Sequence, residues 1–263
     1  HDFYLPSKQG QLPKDKAFIQ SLVTDNPFIS KHYIDNLRGM KDKALRERLL
    51  NGNWEYDDDP ARMIEYDAIV KSFTIRPPEG CRKISCDVAR FGKDKTVIGI
   101  WNGLLCEQII TIDKSDLVYI ARLLTKEVST RGMTMKDIVV DEDGVGGGVV
   151  DMLKCQGFTA NGVVQKVHGV TPNYANLKSQ CAFKLAEMMN EGSIGIKAPN
   201  TEVIKTMTEE LEQLKQDRIE KDFTKLIIVG KDKMKEQLGR SPDYLDMLIM
   251  RMYFEIKPNV YVY

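Results

Sequence analysis

The reading of this chain turns on KISCDVARFG, residues 83–92. It is a short apolar run that ends on a carboxylate, Asp87, and then enters a glycine-containing turn, the pattern of a strand with an acid at its end. Two other stretches share that design. In IVVDEDGVGGG, residues 138–148, an unbroken Ile-Val-Val run ends on Asp141 before a glycine-rich turn; such a run suits a strand buried on both faces. In SPDYLDMLIMRM, residues 241–252, a helix opens with Asp243 and Asp246, which share a face because they lie three residues apart.

Working outward, residues 95–101 and 104–112 are strands, and Asn102-Gly103 between them is a strong hairpin signal. With residues 83–88 they form an antiparallel meander. Residues 116–130 make an amphipathic helix with Leu117, Ile120, Leu124 and Val128 on one face. The rest alternates: a strand over 137–141, a helix over 146–153, a fifth strand over 162–168, helices over 175–190 and 201–215, a strand or hairpin over 221–229, and a long last helix over 242–256. A meander followed by alternating helix and strand is the order of the ribonuclease H-like architecture, an α/β fold whose mixed sheet is flanked by helices. In that fold the carboxylates come from the first strand, the end of the fourth strand and a late helix, where this sequence has acids.

Residues 1–60 differ in pattern from the rest of the chain. They read as a small helical segment: Tyr33, Leu37 and Met40 stand at helical spacing after Ser30, and a second short helix fits 43–50, closed by Asn51-Gly52. The acids at 57–59 read as a solvated linker. Residues 61–80 read as a connection, and the main domain is expected over 81–263.

Bulk properties exclude several classes. Apolar content of 42% and charge of 29% are ordinary for a globular protein. Lys and Arg balance Asp and Glu at 38 each, so any nucleic-acid contact has to come from local patches. Five cysteines, an odd number with no CxxC pair, suit small core residues in a reducing compartment. No signal peptide and no membrane-spanning apolar run is visible.

Each acid has a plainer reading alone. Asp87 could make a turn hydrogen bond, Asp141 could cap the next helix, and Asp243 could complement a helix dipole. Asp246 is harder to dismiss, because its helix is apolar all round and a buried acid is costly unless paired or metal-bound. Together they form a donor set for two-metal phosphodiester hydrolysis. Mg²⁺ or Mn²⁺ takes oxygen ligands, and the two ions of such a site stand about 3.5–4 Å apart. Crowded carboxylates also raise each other's pKa until a cation arrives. Residues 221–240 carry six Lys or Arg against three acids. This stretch, which includes Lys231, Lys233, Lys235 and Arg240, is read as a phosphate-tracking flap beside the metals, with Arg90 and Lys93 adding to it.

The run Cys86-Asp87-Val88-Ala89-Arg90-Phe91-Gly92-Lys93-Asp94-Lys95-Thr96 resembles the first nuclease motif of tailed-bacteriophage terminase large subunits. Residues 141–148 resemble the second motif and residues 239–246 the third, with Met247 where the family often has Ala. Residues 25–54 resemble the segment joining the family's ATPase and nuclease domains. The resemblance implies an endonuclease that cuts concatemeric viral double-stranded DNA in the host cytoplasm during genome packaging. Asp87, Asp141 and Asp243 are then the metal ligands, with Asp246 a further ligand or support. An N-terminal ATPase domain, a small terminase subunit and a portal are the implied partners. No GxxxxGK[ST] phosphate loop occurs in the chain, so no ATPase activity is expected of it, and it is read as the C-terminal part of a longer protein. Two other readings stay open: a Holliday-junction resolvase-like nuclease, dimeric and selective for branched DNA, or a non-catalytic DNA-binding or docking module.

Overall fold

The computed structural model describes residues 13, 15–17, 19, 21–38, 49–52, 59, 61–89, 94–113, 116–167, 169–217 and 225–257. The chain divides after residue 60 into two compact units. The first holds a 3-10 turn at Val23–Asp25 and helix α1 at Lys31–Arg38. The second short helix expected there falls mainly outside the described residues.

The second unit begins with helix α2, Tyr66–Ser72. Residues 61–80, expected as a connection, contribute fully buried Ile64 and Ile69 to the main core. Strands β1 (Arg82–Asp87), β2 (Thr96–Asn102) and β3 (Leu105–Ile112) form the antiparallel meander. Helix α3 (Leu117–Thr130) leads to β4 (Ile138–Asp141), helix α4 (Gly147–Leu153) and β5 (Gln156–Phe158). Then come α5 (Leu177–Asn190), β6 (Gly195–Ile196) and α6 (Thr201–Glu212). A small hairpin of β7 (Gln216–Asp217) and β8 (Ile227–Ile228) precedes α7 (Lys231–Leu238), α8 (Asp243–Arg251) and the single turn α9 (Tyr253–Ile256).

The six-stranded sheet runs β5-β4-β1-β2-β3-β6, with β4 and β5 parallel to β1 and β6 parallel to β3. Strand alternation divides its side chains between two cores. Ile84, Cys86, Ile98, Ile100, Ile138 and Val140 pack with Ile120 and Leu124 of α3. Val97, Trp101 and Val139 pack on the other face with α5 and α8, where Leu185, Leu245 and Leu248 are fully buried. Each such side chain contributes roughly 1.5–3 kcal/mol of burial. Trp101 also donates its indole N–H to the Ser85 hydroxyl at 3.0 Å, which satisfies these two buried polar groups.

Three expectations shift. The fifth strand is Gln156–Phe158 rather than 162–168. In the latter stretch the Gln180 side chain accepts from the Gln165 N–H at 2.8 Å and donates to its carbonyl at 2.9 Å, so a side-chain amide takes the place of a neighbouring strand. The last long helix breaks after Arg251. Residues 231–238, read as part of a phosphate-tracking flap, form helix α7, closed by Gly239 in the left-handed region at φ 69°.

Candidate metal centre at the carboxyl end of the sheet

The parallel register of β1 and β4 pairs Ile84 with Ile138, Ser85 with Val139 and Cys86 with Val140. One step further along the same register, Asp87 and Asp141 end adjacent strands, whose axes lie roughly 4.8 Å apart. By alternation Asp87 shares a face with Ser85, and Asp141 with Val139. That is the face α8 covers, so the acids of the strand ends and those of the helix meet on one side.

The approach of α8 to the sheet depends on Gly99 in the middle of β2. A Cβ there would stand 2.4 Å from the Met247 sulfur and 2.8 Å from the Trp101 indole nitrogen. The turn after Asp141 needs Gly146 for a similar reason, since a Cβ would fall 1.8 Å from the Asp141 carbonyl oxygen.

Asp87, Asp243 and Asp246 are buried, at 6–7% exposure, and Asp141 is half-buried. Burial, then the negative charge of Asp246, pushes Asp87 well above the usual carboxylate range, and Asp141 and Asp243 add to this. Burial brings Asp141 to about 6. Asp243 is also raised by burial, against the pull of the Lys95 backbone N–H, which donates to it at 2.8 Å. Asp246 runs the other way. Burial alone would raise it, but the ammonium groups of Lys178 and Lys231 each lie 2.6 Å from one of its oxygens and hold it low. Lys231 is correspondingly raised: burial works against its charge, and Asp246 and Asp87 outweigh burial.

A cavity of about 340 Å³ opens here, lined by Asp141, Asp246, Lys178, Lys231, Lys235 and apolar Phe158 among others. Among the described residues no group of three or more His, Cys, Asp or Glu side chains is gathered tightly enough to hold a metal ion. Asp246 instead takes its counter-charge from the two lysines, whose ammonium groups stand in for cationic charge. The donor set itself is hard oxygen, four aspartates at one end of the sheet, which fits Mg²⁺ or Mn²⁺.

The basic residues separate into distinct roles. Lys231 and Lys235 on α7 face acids, the latter pairing with Asp94 at 3.1 Å, while Lys233 is exposed. Arg240, expected to contact DNA, is tied to α6. Its guanidinium binds Glu210, Glu209 at 3.1 Å and the Thr206 carbonyl at 3.2 Å, because the buried Glu210 needs a counter-charge. Arg90 and Lys93 lie outside the described residues. Lys178 was not foreseen from the sequence. Its one local sign is a cation in the first turn of α5, where the helix dipole disfavours it.

A mixed sheet with a central meander, acids at the ends of β1 and β4 and two more on a late helix defines a ribonuclease H-like fold. No protein-family model matches the sequence, and no curated protein matches it significantly. Among solved structures, the fold is that of phage large-terminase nuclease domains. The nuclease domain of the large terminase subunit gp2 of bacterial virus Sf6 superposes with a TM-score of 0.60 at 17% identity, over 73% of this chain and 98% of that one. A point mutant of that domain with calcium gives the same values, and one with manganese gives a TM-score of 0.59 at 16% identity. At such identity the likeness speaks for the fold.

Proposed function

We propose that this chain is the nuclease part of a phage large terminase, a metal-dependent endonuclease that cuts concatemeric viral double-stranded DNA during genome packaging. The observation that carries the reading is the convergence of Asp87, Asp141, Asp243 and Asp246 from three elements onto one end of the sheet, next to the cationic pair Lys178 and Lys231. The fold shared with terminase nuclease domains supports it.

Asp87, Asp141 and Asp243 would hold two Mg²⁺ or Mn²⁺ ions, with Asp246 a further ligand or support. When bound, the metals supply an activated water and stabilise the leaving oxygen. The protein's own contribution is placement. Parallel register fixes the two strand acids, and α8 brings its pair from above. Lys178 and Lys231 offset the charge of Asp246 and offer two cations to a phosphate at the cavity mouth. Lys233 and Lys235 extend this cationic edge along α7, where contacts to backbone phosphate confer affinity without base readout. An ATPase domain, a small subunit and a portal complete the machine in the host cytoplasm. Among the described residues no helix is long and apolar enough to cross a membrane.

Supercoiled plasmid incubated with the chain and Mn²⁺ tests this. Nicking and linearisation are expected, blocked by EDTA and by Asp87→Ala. Cleavage that survives Asp87→Ala, or that needs no metal, would remove the proposal.

A further inference from the structure

The corner between α7 and α8 carries the charged machinery of the site on both arms: Lys231 and Lys235 on one, Asp243 and Asp246 on the other. Local sequence does not secure that corner. The capping position of α8 is Pro242, which offers no side-chain acceptor. The first-turn N–H groups of a helix need partners from elsewhere. One arrives from α6. Glu210 Oε2 accepts the Leu245 N–H at 2.9 Å, and Oε1 accepts from the Arg240 guanidinium. Arg240 is also bonded to Glu209 and to the Thr206 carbonyl, so it lies along one turn of α6. That helix is itself fixed in the core by fully buried Met207 and Leu211.

Glu210 is 1% exposed. Stability alone is a poor reason to bury an ion-paired carboxylate, because apolar residues of similar volume often serve as well or better. What it does supply is registration: one carboxylate ties the corner and the first turn of α8 to the same rigid helix. A displacement of about 1 Å at a reacting group can cost roughly 100-fold in rate, and small rotations of α8 would move Asp246 by that much.

We propose that Glu210 is a positioning residue of the nuclease site, fastening the α7–α8 corner to α6 and thereby setting where Lys231, Asp243 and Asp246 stand. This rests on the chain being a nuclease.

The test uses the 263-residue chain with Glu210→Ala, Glu210→Gln, Arg240→Ala and, as a core control on the opposite face of the sheet, Leu124→Ala. Calorimetric Mn²⁺ binding without DNA is measured beside amide hydrogen exchange at Leu245. Loss of a residue that orients metal ligands weakens metal affinity about 10–100-fold, and that loss is expected for Glu210→Ala, together with faster Leu245 exchange. Glu210→Gln keeps an acceptor for the Leu245 N–H and should restore most of the affinity. Leu124→Ala should lower Tm and leave Mn²⁺ binding unchanged. Should Glu210→Ala fail to fold, Arg240→Ala, which removes only the corner's half of the tie, is expected to show a smaller loss in the same direction. Wild-type Mn²⁺ affinity in folded Glu210→Ala, or in Arg240→Ala where Glu210→Ala does not fold, would overturn the proposal. If the wild type binds no Mn²⁺ at all, the nuclease reading fails and Leu245 exchange decides alone: faster exchange in Glu210→Ala keeps the tie, unchanged exchange refutes it.

Discussion

Asp87 and Glu210 are both buried acids, and their surroundings give them different consequences. Asp87 stands among three other carboxylates with too little positive charge to offset it, so its ionised form is costly without metal. Asp87→Asn is therefore expected to raise the metal-free Tm by a few degrees, on the order of 1 kcal/mol, while abolishing cleavage. Mn²⁺ should raise the wild-type Tm through linkage and leave the variant's where it was. A thermal scan with and without Mn²⁺ checks both halves, and a variant less stable than wild type would contradict the repulsion argument. Burial moves Glu210 up to about 7 from an ordinary value of 4.5, although the Leu245 N–H and Arg240 pull it down. Its folded value lies above its unfolded one, so the folded state keeps the proton longer. Stability then falls as pH rises between those two values and levels off above about 7. Subtracting the Glu210→Gln profile from the wild-type Tm profile isolates this slope from that of Asp141, which titrates in an overlapping range. A flat difference would show that Arg240 holds the carboxylate ionised throughout. The four aspartates were legible in the sequence because each ends or opens an element. Lys178 and Glu210 were not, since they reach Asp246 and Leu245 from 68 and 35 residues away and leave almost no local pattern.

Among the elements, the meander and the β4 strand could be read because hairpin chemistry and an unbroken apolar run are local signals. Strands β5 and β6, of three and two residues, are too short to show any period and exist only through their neighbours. Helix α7 was hidden because its residues are mostly charged and only Met234 faces the core. The contact of α8 with β2 gives the unusual Met247 a physical reason. Its sulfur occupies the space that a side chain at residue 99 would need, so a large residue on the helix is matched by none on the strand. Met247→Ala is expected to cost about 2–5 kcal/mol by opening a cavity. Gly99→Ala should cost about 1–3 kcal/mol by overpacking against Met247 and Trp101. The double variant should be more stable than the two losses predict, because the new methyl fills part of the cavity. Such coupling between touching residues runs to roughly 0.5–3 kcal/mol. Denaturant melts of all four proteins measure it, and strict additivity would mean that α8 and β2 do not share this space.

For the whole molecule, charge balance bears on how the proposed nuclease would hold DNA. With 38 basic and 38 acidic residues, net charge supplies no long-range attraction for a polyanion, so affinity would have to come from local patches such as the cationic edge beside the site. That edge is largely self-neutralised: Lys178 and Lys231 are held by Asp246, and Lys235 by Asp94, which leaves Lys233 exposed. On the proposed reading, a cation held by the aspartates would compete with Lys178 and Lys231 for Asp246 and leave both free for phosphate. DNA affinity is therefore expected to fall more steeply with salt in Ca²⁺ than in EDTA at matched ionic strength. Each phosphate neutralised adds about 0.9 to the slope of log K against log salt, so the two released lysines should steepen it by roughly 1–2. Lys233→Ala should flatten the slope by about 1 in both conditions, because its exposed ammonium is not tied to the aspartates. Lys178→Met with Lys231→Met should remove the difference between the conditions. Fluorescence anisotropy on a short duplex across a salt series reads all of these slopes, and a four-way junction in the same series shows any preference for branched DNA. Equal slopes in Ca²⁺ and EDTA would mean that the two lysines stay on Asp246 and the duplex is held elsewhere. A strong junction preference in a dimeric chain would favour a resolvase over a packaging nuclease. Among the described residues, the cationic edge along α7 on a chain of balanced charge suits one duplex, bound weakly and without sequence preference.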